Sequence, residues 1–249
     1  MRNTLAVLGF VLLGCGTSDG SGNEPDAATG STSDGGRGDG GGGTKDGGGT
    51  APPLGEPQTG VATYYAANGG GNCSFDPTPN DLDVAAMNHE QYAGSAACGA
   101  CAAVQGLKGK VTVRIVDQCP ECARGHLDLS KEAFAKIATV SDGRVPITWQ
   151  TVACNISGNV GYHYKDGSSQ YWTAIQVRNH RVPIRKLEIK TSSGFVEAPR
   201  QDYNYFVLEK GAGPGPVTVR VTAIDGQTLE DTLPAASSDA TVSGKSQFK

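Results

Sequence analysis

Thr112-Val-Arg-Ile-Val-Asp117-Gln-Cys119-Pro-Glu121-Cys122-Ala-Arg-Gly-His126-Leu-Asp128-Leu-Ser130 is the densest run of chemistry-bearing side chains in the chain. Its opening alternates, with Val111, Val113 and Ile115 on one face, which predicts a strand over Gly109–Val116. Asp117 then falls at the end of that strand, and Asp128 lies beyond a loop bounded by Cys119 and Cys122. Leu127 and Leu129 flank Asp128, and an apolar setting raises a carboxyl pKa. Such a group suits the donation of a proton or hydrogen bond to a ligand oxygen. A plainer role is open to the same residue: an Asp capping the short helix predicted over Lys131–Ile137, whose N-cap is Ser130 and whose buried face holds Phe134 and Ile137.

Outward from this run the pattern is of short strands and turns. Val61–Tyr65 alternates weakly before the loop signal Asn68-Gly-Gly-Gly71, and Val145–Val152 is a strand whose Trp149 reads as core. After Cys154 the helical signal stops. Strands are expected at Val160–Tyr164, Trp172–Val177, Ile184–Lys190, Tyr205–Leu208, Val217–Ala223 and Gln227–Thr232, which suggests a β-sandwich following a small barrel.

The N-terminus carries an address. Arg2 and the apolar run Leu5–Leu13, too short to span a bilayer, read as a cleaved export signal. Its ending, Leu12-Leu13-Gly14-Cys15, resembles the lipobox of bacterial lipoproteins, which implies lipid attachment at Cys15. An ordinary secretory signal is the alternative. Residues 16–56 are rich in Gly, Asp, Ser and Thr and carry seven acids against two bases, net −5, as expected of a disordered, charge-extended tether. Residues 57–153 (nine acids, seven bases) and 154–249 (nine acids, eleven bases) are near neutral, which argues against nucleic acid as a partner.

Export decides how the cysteines are read. Without Cys15 six remain: Cys73, Cys98, Cys101, Cys119, Cys122 and Cys154. Outside the cell an even set predicts disulfides, of unassigned connectivity. The rival is a four-thiolate zinc site from Cys98-x2-Cys101 and Cys119-x2-Cys122, 17 residues apart. His89, His126, His163 and His180 are dispersed and none is assigned catalysis. No metal or cofactor is expected.

The run from Thr112 to Ser130, together with Gly60-Val-Ala-Thr-Tyr64, resembles the first domain of expansins. Gly167-Ser-Ser-Gln-Tyr171-Trp172-Thr-Ala-Ile-Gln-Val-Arg-Asn-His180 and Asp202-Tyr203-Asn-Tyr-Phe206 resemble the expansin carbohydrate-binding module. The resemblance runs from about Gly60 to the C-terminus and is to microbial expansins. It implies a mainly β chain: a six-stranded double-psi β-barrel over 57–153, then an immunoglobulin-like β-sandwich over 154–249. It implies a groove with Asp128 as the essential acid, lined by Asp117, Thr63 and Tyr64, with Glu121 nearby. It also implies a platform of Tyr171, Trp172 and Tyr203 bordered by Lys165. Rings at 171 and 172 would face opposite sides of a flat strand, so a bulge or strand start must redirect one.

The barrel is also similar to family-45 glycoside hydrolases, whose second carboxylate would fall at Ala66 or Ala67. Unless Asp76, Asp117 or Glu121 fills that role, half the machinery is missing. One position held by an aromatic in some bacterial members is Cys119 here. The resemblance implies a monomeric, surface-anchored (outer-membrane) or secreted protein that binds cellulose or related β-glucans and loosens walls without hydrolysis. The alternatives are a lytic transglycosylase or weak endoglucanase acting on peptidoglycan or β-glucan through Asp128, and a polysaccharide-binding adhesin.

Overall fold

The computed structural model describes residues 53–249. The export signal with Cys15 and the tether up to residue 52 lie outside them. Pro53 and Leu54, expected to belong to the tether, are held by the folded part. Pro53 bridges Val152, the Leu54 amide donates to Thr151 O at 2.8 Å, and Leu54 packs against the sandwich core.

Six strands close a barrel: β1 (Gln58–Tyr65), β2 (Val84–Asn88), β3 (Cys101–Gln105), β4 (Lys110–Cys119), β5 (Leu127–Ser130) and β6 (Val145–Val152), in the order β1-β5-β2-β4-β3-β6. The pairs β1/β5 and β2/β4 are parallel and the rest antiparallel. Inward Val113, Ile115, Leu127, Leu129, Trp149 and Phe134 make one core. The last of these lies on helix α2 (Lys131–Ile137), which follows α1 (His89–Tyr92). Two glycines let the chain cross itself. A Cβ on Gly60 would stand 2.0 Å from Gly125 O, and the same carbonyl accepts from Trp149 Nε1 at 2.9 Å. Neither position has room for a side chain.

The rest is a sandwich of two antiparallel sheets. Strands β7 (Gly161–Tyr164), β8 (Thr173–Arg178), β9 (Ile184–Thr191), β10 (Gly194–Ala198), β11 (Phe206–Leu208), β12 (Val217–Ala223), β13 (Thr228–Leu233) and β14 (Thr241–Ser243) form β10-β9-β12-β13 and β11-β8-β7-β14. Between the sheets, Tyr162, Ile175, Leu187, Phe206 and Val219 are buried. The sequence pattern missed β2, β3, β5, β10 and β14, and β8 starts at Thr173 rather than Trp172.

The six cysteines pair as Cys73–Cys98, Cys101–Cys154 and Cys119–Cys122. All six are consumed, so the four-thiolate zinc alternative is excluded. Barrel and sandwich meet through polar groups of the backbone. Gln176 Nε2 and Asn204 Nδ2 donate to Cys73 O at 2.8 and 3.2 Å. Ser95 Oγ donates to Gln201 O at 2.7 Å, and Tyr92 OH to Asp202 O at 2.8 Å. Arg178 pairs with Asp76 at 2.7 Å.

Candidate functional site

Strand register builds the groove. Thr63 on β1 stands beside Asp128 on β5, Asp128 beside Ala86 on β2, and Ala86 beside Asp117 on β4, where a bulge after Ala85 sets the phase. Four neighbouring strands therefore contribute one row: threonine, aspartate, alanine, aspartate. The two acids are two strand spacings apart, about 9.6 Å between Cα atoms at roughly 4.8 Å per strand. The small Ala86 between them keeps the row low.

Asp128 is not the helix cap. Ser130 Oγ fills that role, accepting from Ala133 N at 2.9 Å. Asp128 Oδ1 instead accepts from Thr63 Oγ1 at 2.5 Å. The same hydroxyl oxygen lies 2.9 Å from His126 Nε2. A hydroxyl has one proton, and here it goes to the carboxylate, so His126 must donate through Nε2–H. Burial, then Arg144, holds the His126 pKa below its ordinary value, which favours the neutral imidazole. No sequence signal linked His126 to Thr63, because they are 63 residues apart and meet only through the parallel β1/β5 pairing.

Burial raises the Asp128 pKa. The Thr63 hydrogen bond and His126 oppose that shift, while Glu121 and Asp117 add to it. Glu121 itself is exposed on the loop between the two cysteines. Asp117 has a different setting: its Oδ1 accepts from the amides of Asn72 at 2.7 Å and Gln118 at 2.8 Å. Gly71 permits this, since a Cβ there would stand 2.4 Å from the Asp117 Cγ.

Tyr65, rather than Tyr64, shares the face of β1 that carries Thr63. Alternation along β1 puts Ala62 and Tyr64 on the core side, where the Tyr64 ring lies 5.0 Å from Phe134. Thr63 and Tyr65 take the other face. Tyr65 packs on Ala86 and the Cys119–Cys122 pair. Its hydroxyl is buried without a partner, and burial with the charges of Asp117 and Asp128 pushes its pKa strongly up. Beyond it an open depression of about 380 Å³ is lined by Ala66, Ala67, Asn68 and Asp117.

The second surface is the outer face of sheet β11-β8-β7-β14. Inner positions Ile175 and Val177 alternate with outer Ala174 and Gln176, and Phe206 with outer Tyr205 and Val207. Trp172 and Tyr203 pack on Ala174, Tyr205 and Val207, so the indole lies outside the sandwich core. Tyr171 escapes the alternation because it precedes β8 on a tight turn. Ser169 N donates to Trp172 O at 2.7 Å, and Gly213 N to Gln170 O at 3.0 Å. Tyr171 is 75% exposed. The buried Tyr205 went unrecognised in the sequence and floors the platform: its ring lies 5.9 Å from Tyr203, and Lys165 Nζ is 5.6 Å from its centroid. Loop 71–76 touches both surfaces, holding Asp117 through Asn72 and Arg178 through Asp76.

Two family models match in succession, one described as lytic transglycolase over residues 58–149 and one as expansin-like protein middle domain over 155–249. Expansin-YoaJ of Bacillus subtilis is 41% identical over 199 residues, covering 76% of this chain and 85% of that protein. Expansin-like protein 5 of Dictyostelium discoideum is 34% identical over 200 residues, covering 75% and 83%. The crystal structure of apo Clavibacter michiganensis expansin superposes with a TM-score of 0.72 at 33% identity, covering 78% of this chain and 98% of that one. A mutant of that expansin, solved in complex with cellohexaose, gives 0.73 at the same identity and coverage. With both halves matched in order, the chain belongs to the expansin family.

Proposed function

We propose that this chain binds cellulose or a related β-glucan along the groove and the ring platform, and loosens its contacts with neighbouring chains without cutting it. The observation that carries this reading is the joined pair of surfaces: a half-buried carboxyl in a shallow groove, beside aromatic rings on the outer face of one sheet. Glucans present flat apolar C–H faces, which rings cover at low entropic expense. A carboxyl with a raised pKa can exchange hydrogen bonds with sugar hydroxyls that otherwise hold a neighbouring chain. That a related expansin was solved with cellohexaose supports the substrate class.

Geometry supports a reading without cleavage. Inverting hydrolysis needs a base that activates water on the face of the sugar opposite the acid. Ala66 and Ala67 follow β1 with methyl groups only. Asp117 stands in the same row as Asp128 and is already bonded to two amides. Glu121 is exposed on its loop. A tensile assay on cellulose strips tests the reading. Asp128→Asn should abolish weakening while binding persists, and Trp172→Ala should lower cellulose affinity about tenfold, or about 1.4 kcal/mol. Release of reducing sugar that depends on Asp128 would overturn it.

The description of the barrel's family model favours one second reading, lytic transglycosylation of peptidoglycan with Asp128 as acid. Anhydro-sugar products from purified sacculi would establish it. A monomer displayed on a lipidated Cys15 is the presentation proposed for either case. Radiolabelled palmitate incorporation that is lost in Cys15→Ser tests the anchor.

A further inference from the structure

A cavity of about 240 Å³ lies where the barrel meets the sandwich, apart from the groove and the platform. Phe75, Thr78 and Arg114 line it from the barrel, and Ile156, Arg178 and His180 from the other side. It exists because residue 99 is glycine: a Cβ there would stand 2.5 Å from His180 Nε2 and 3.3 Å from the Phe75 ring. Two of its polar groups have hydrogen-bonding capacity to spare. His180 is 4% exposed, and its Nδ1 lies 3.0 Å from Val182 O. Nδ1 therefore donates, and Nε2 carries a lone pair with no hydrogen-bond partner among the described residues. Burial holds this imidazole neutral, depressing its pKa to about 4. Arg114 has no ion pair among the described residues. Its guanidinium lies 5.5 Å from the Phe75 centroid and makes a single long contact, 3.4 Å, to Thr78 Oγ1. The other lining guanidinium, Arg178, is paired at 2.7 Å with Asp76, a carboxylate that also lines the cavity and that this pairing neutralises.

We propose that this cavity binds a small hydroxylated carboxylate of monosaccharide size, a sugar acid. The carboxylate would pair with Arg114, whose planar donors match it in two-pronged fashion. A hydroxyl would donate to His180 Nε2, and the apolar face of the ring would lie toward Phe75 and Ile156. Size agrees. The volume equals about eight waters at roughly 30 Å³ each, and pockets for larger ligands run about 300–1,000 Å³. The site does not depend on the glucan reading: Arg114, His180 and Ile156 belong to neither the groove nor the platform, although Phe75 also borders the depression beyond Tyr65.

Calorimetry and amide NMR on the full chain test the proposal, with glucuronate, glucose, acetate and a xylo-oligosaccharide bearing one glucuronate branch as probes. Glucuronate should bind at least about tenfold more tightly than glucose or acetate and shift the Gly99 and Arg114 signals. Tighter binding of the branched oligosaccharide assigns the site to an acidic polymer; equal or weaker binding assigns it to the free acid. Arg114→Gln should cost at least about tenfold in affinity. Ile156→Trp, which plugs the cavity from a partly exposed loop, should abolish glucuronate binding and leave cellulose binding and the thermal midpoint unchanged. Equal affinity for glucuronate and glucose would overturn the proposal. So would glucuronate affinity unaltered by Ile156→Trp, or shifts confined to the signals around Asp128 and Tyr171.

Discussion

Tyr65 and His180 are two side chains held far from the settings a free chain would choose. The Tyr65 hydroxyl is buried and unpartnered, which costs about 1–3 kcal/mol for a polar group of this kind. Tyr65→Phe is therefore expected to raise stability by about that amount in urea titrations, while weakening activity in the strip assay. His180 makes stability depend on pH. Its folded pKa of about 4 lies below the ordinary 6.5, so the unfolded chain binds the extra proton between those values. Stability should be full above pH 6.5, fall as acid is added down to about pH 4, and level off below. The loss is about 3 kcal/mol at roughly 1.4 kcal/mol per pKa unit. Urea midpoints at pH 7.5 and 4.5 should differ by much less in His180→Gln. Local sequence marked Asp128 correctly as half-buried, since its leucine neighbours are visible. It could not choose between Tyr64 and Tyr65, because the phase of β1 is set by β5, a strand far along the chain.

Legibility at the level of strands followed solvent exposure. Strand β4 could be read because Val111, Val113 and Ile115 alternate with Thr112 and Arg114, one face in the core and one outside. Strand β2 could not, since all five of its residues are buried and Val-Ala-Ala-Met-Asn carries no period. Strands β10 and β14 sit at sheet edges with exposed residues and leave little apolar pattern. The cysteine pairs were open for a similar reason, as spacing says nothing of which loops meet. With the pairs known, the chain-entropy model orders them. Cys101–Cys154 spans 53 residues, Cys73–Cys98 25 and Cys119–Cys122 3. Replacing each pair by alanines should cost about 4, 3.5 and 2 kcal/mol respectively, measured as urea-midpoint shifts at pH 7.5.

Across the whole molecule, the contact between barrel and sandwich is built from side chains donating to backbone carbonyls, with Gln176 and Asn204 converging on Cys73 O. Such bonds fix orientation more firmly than two apolar patches sliding on each other. Calorimetry should therefore give one transition, with calorimetric and van't Hoff enthalpies in agreement. The double variant Gln176→Ala, Arg178→Ala should lose about 2 kcal/mol and drop the midpoint by roughly 4–8 °C. Two resolved transitions in the unaltered chain would contradict this picture.

The open row of rings also bears on how the molecule is handled. Dextran and agarose beads are themselves polysaccharides, and Tyr171 meets them bare. The chain should lag on such columns and pass for something smaller than its mass. Its association state is better taken from light scattering, or from elution off silica.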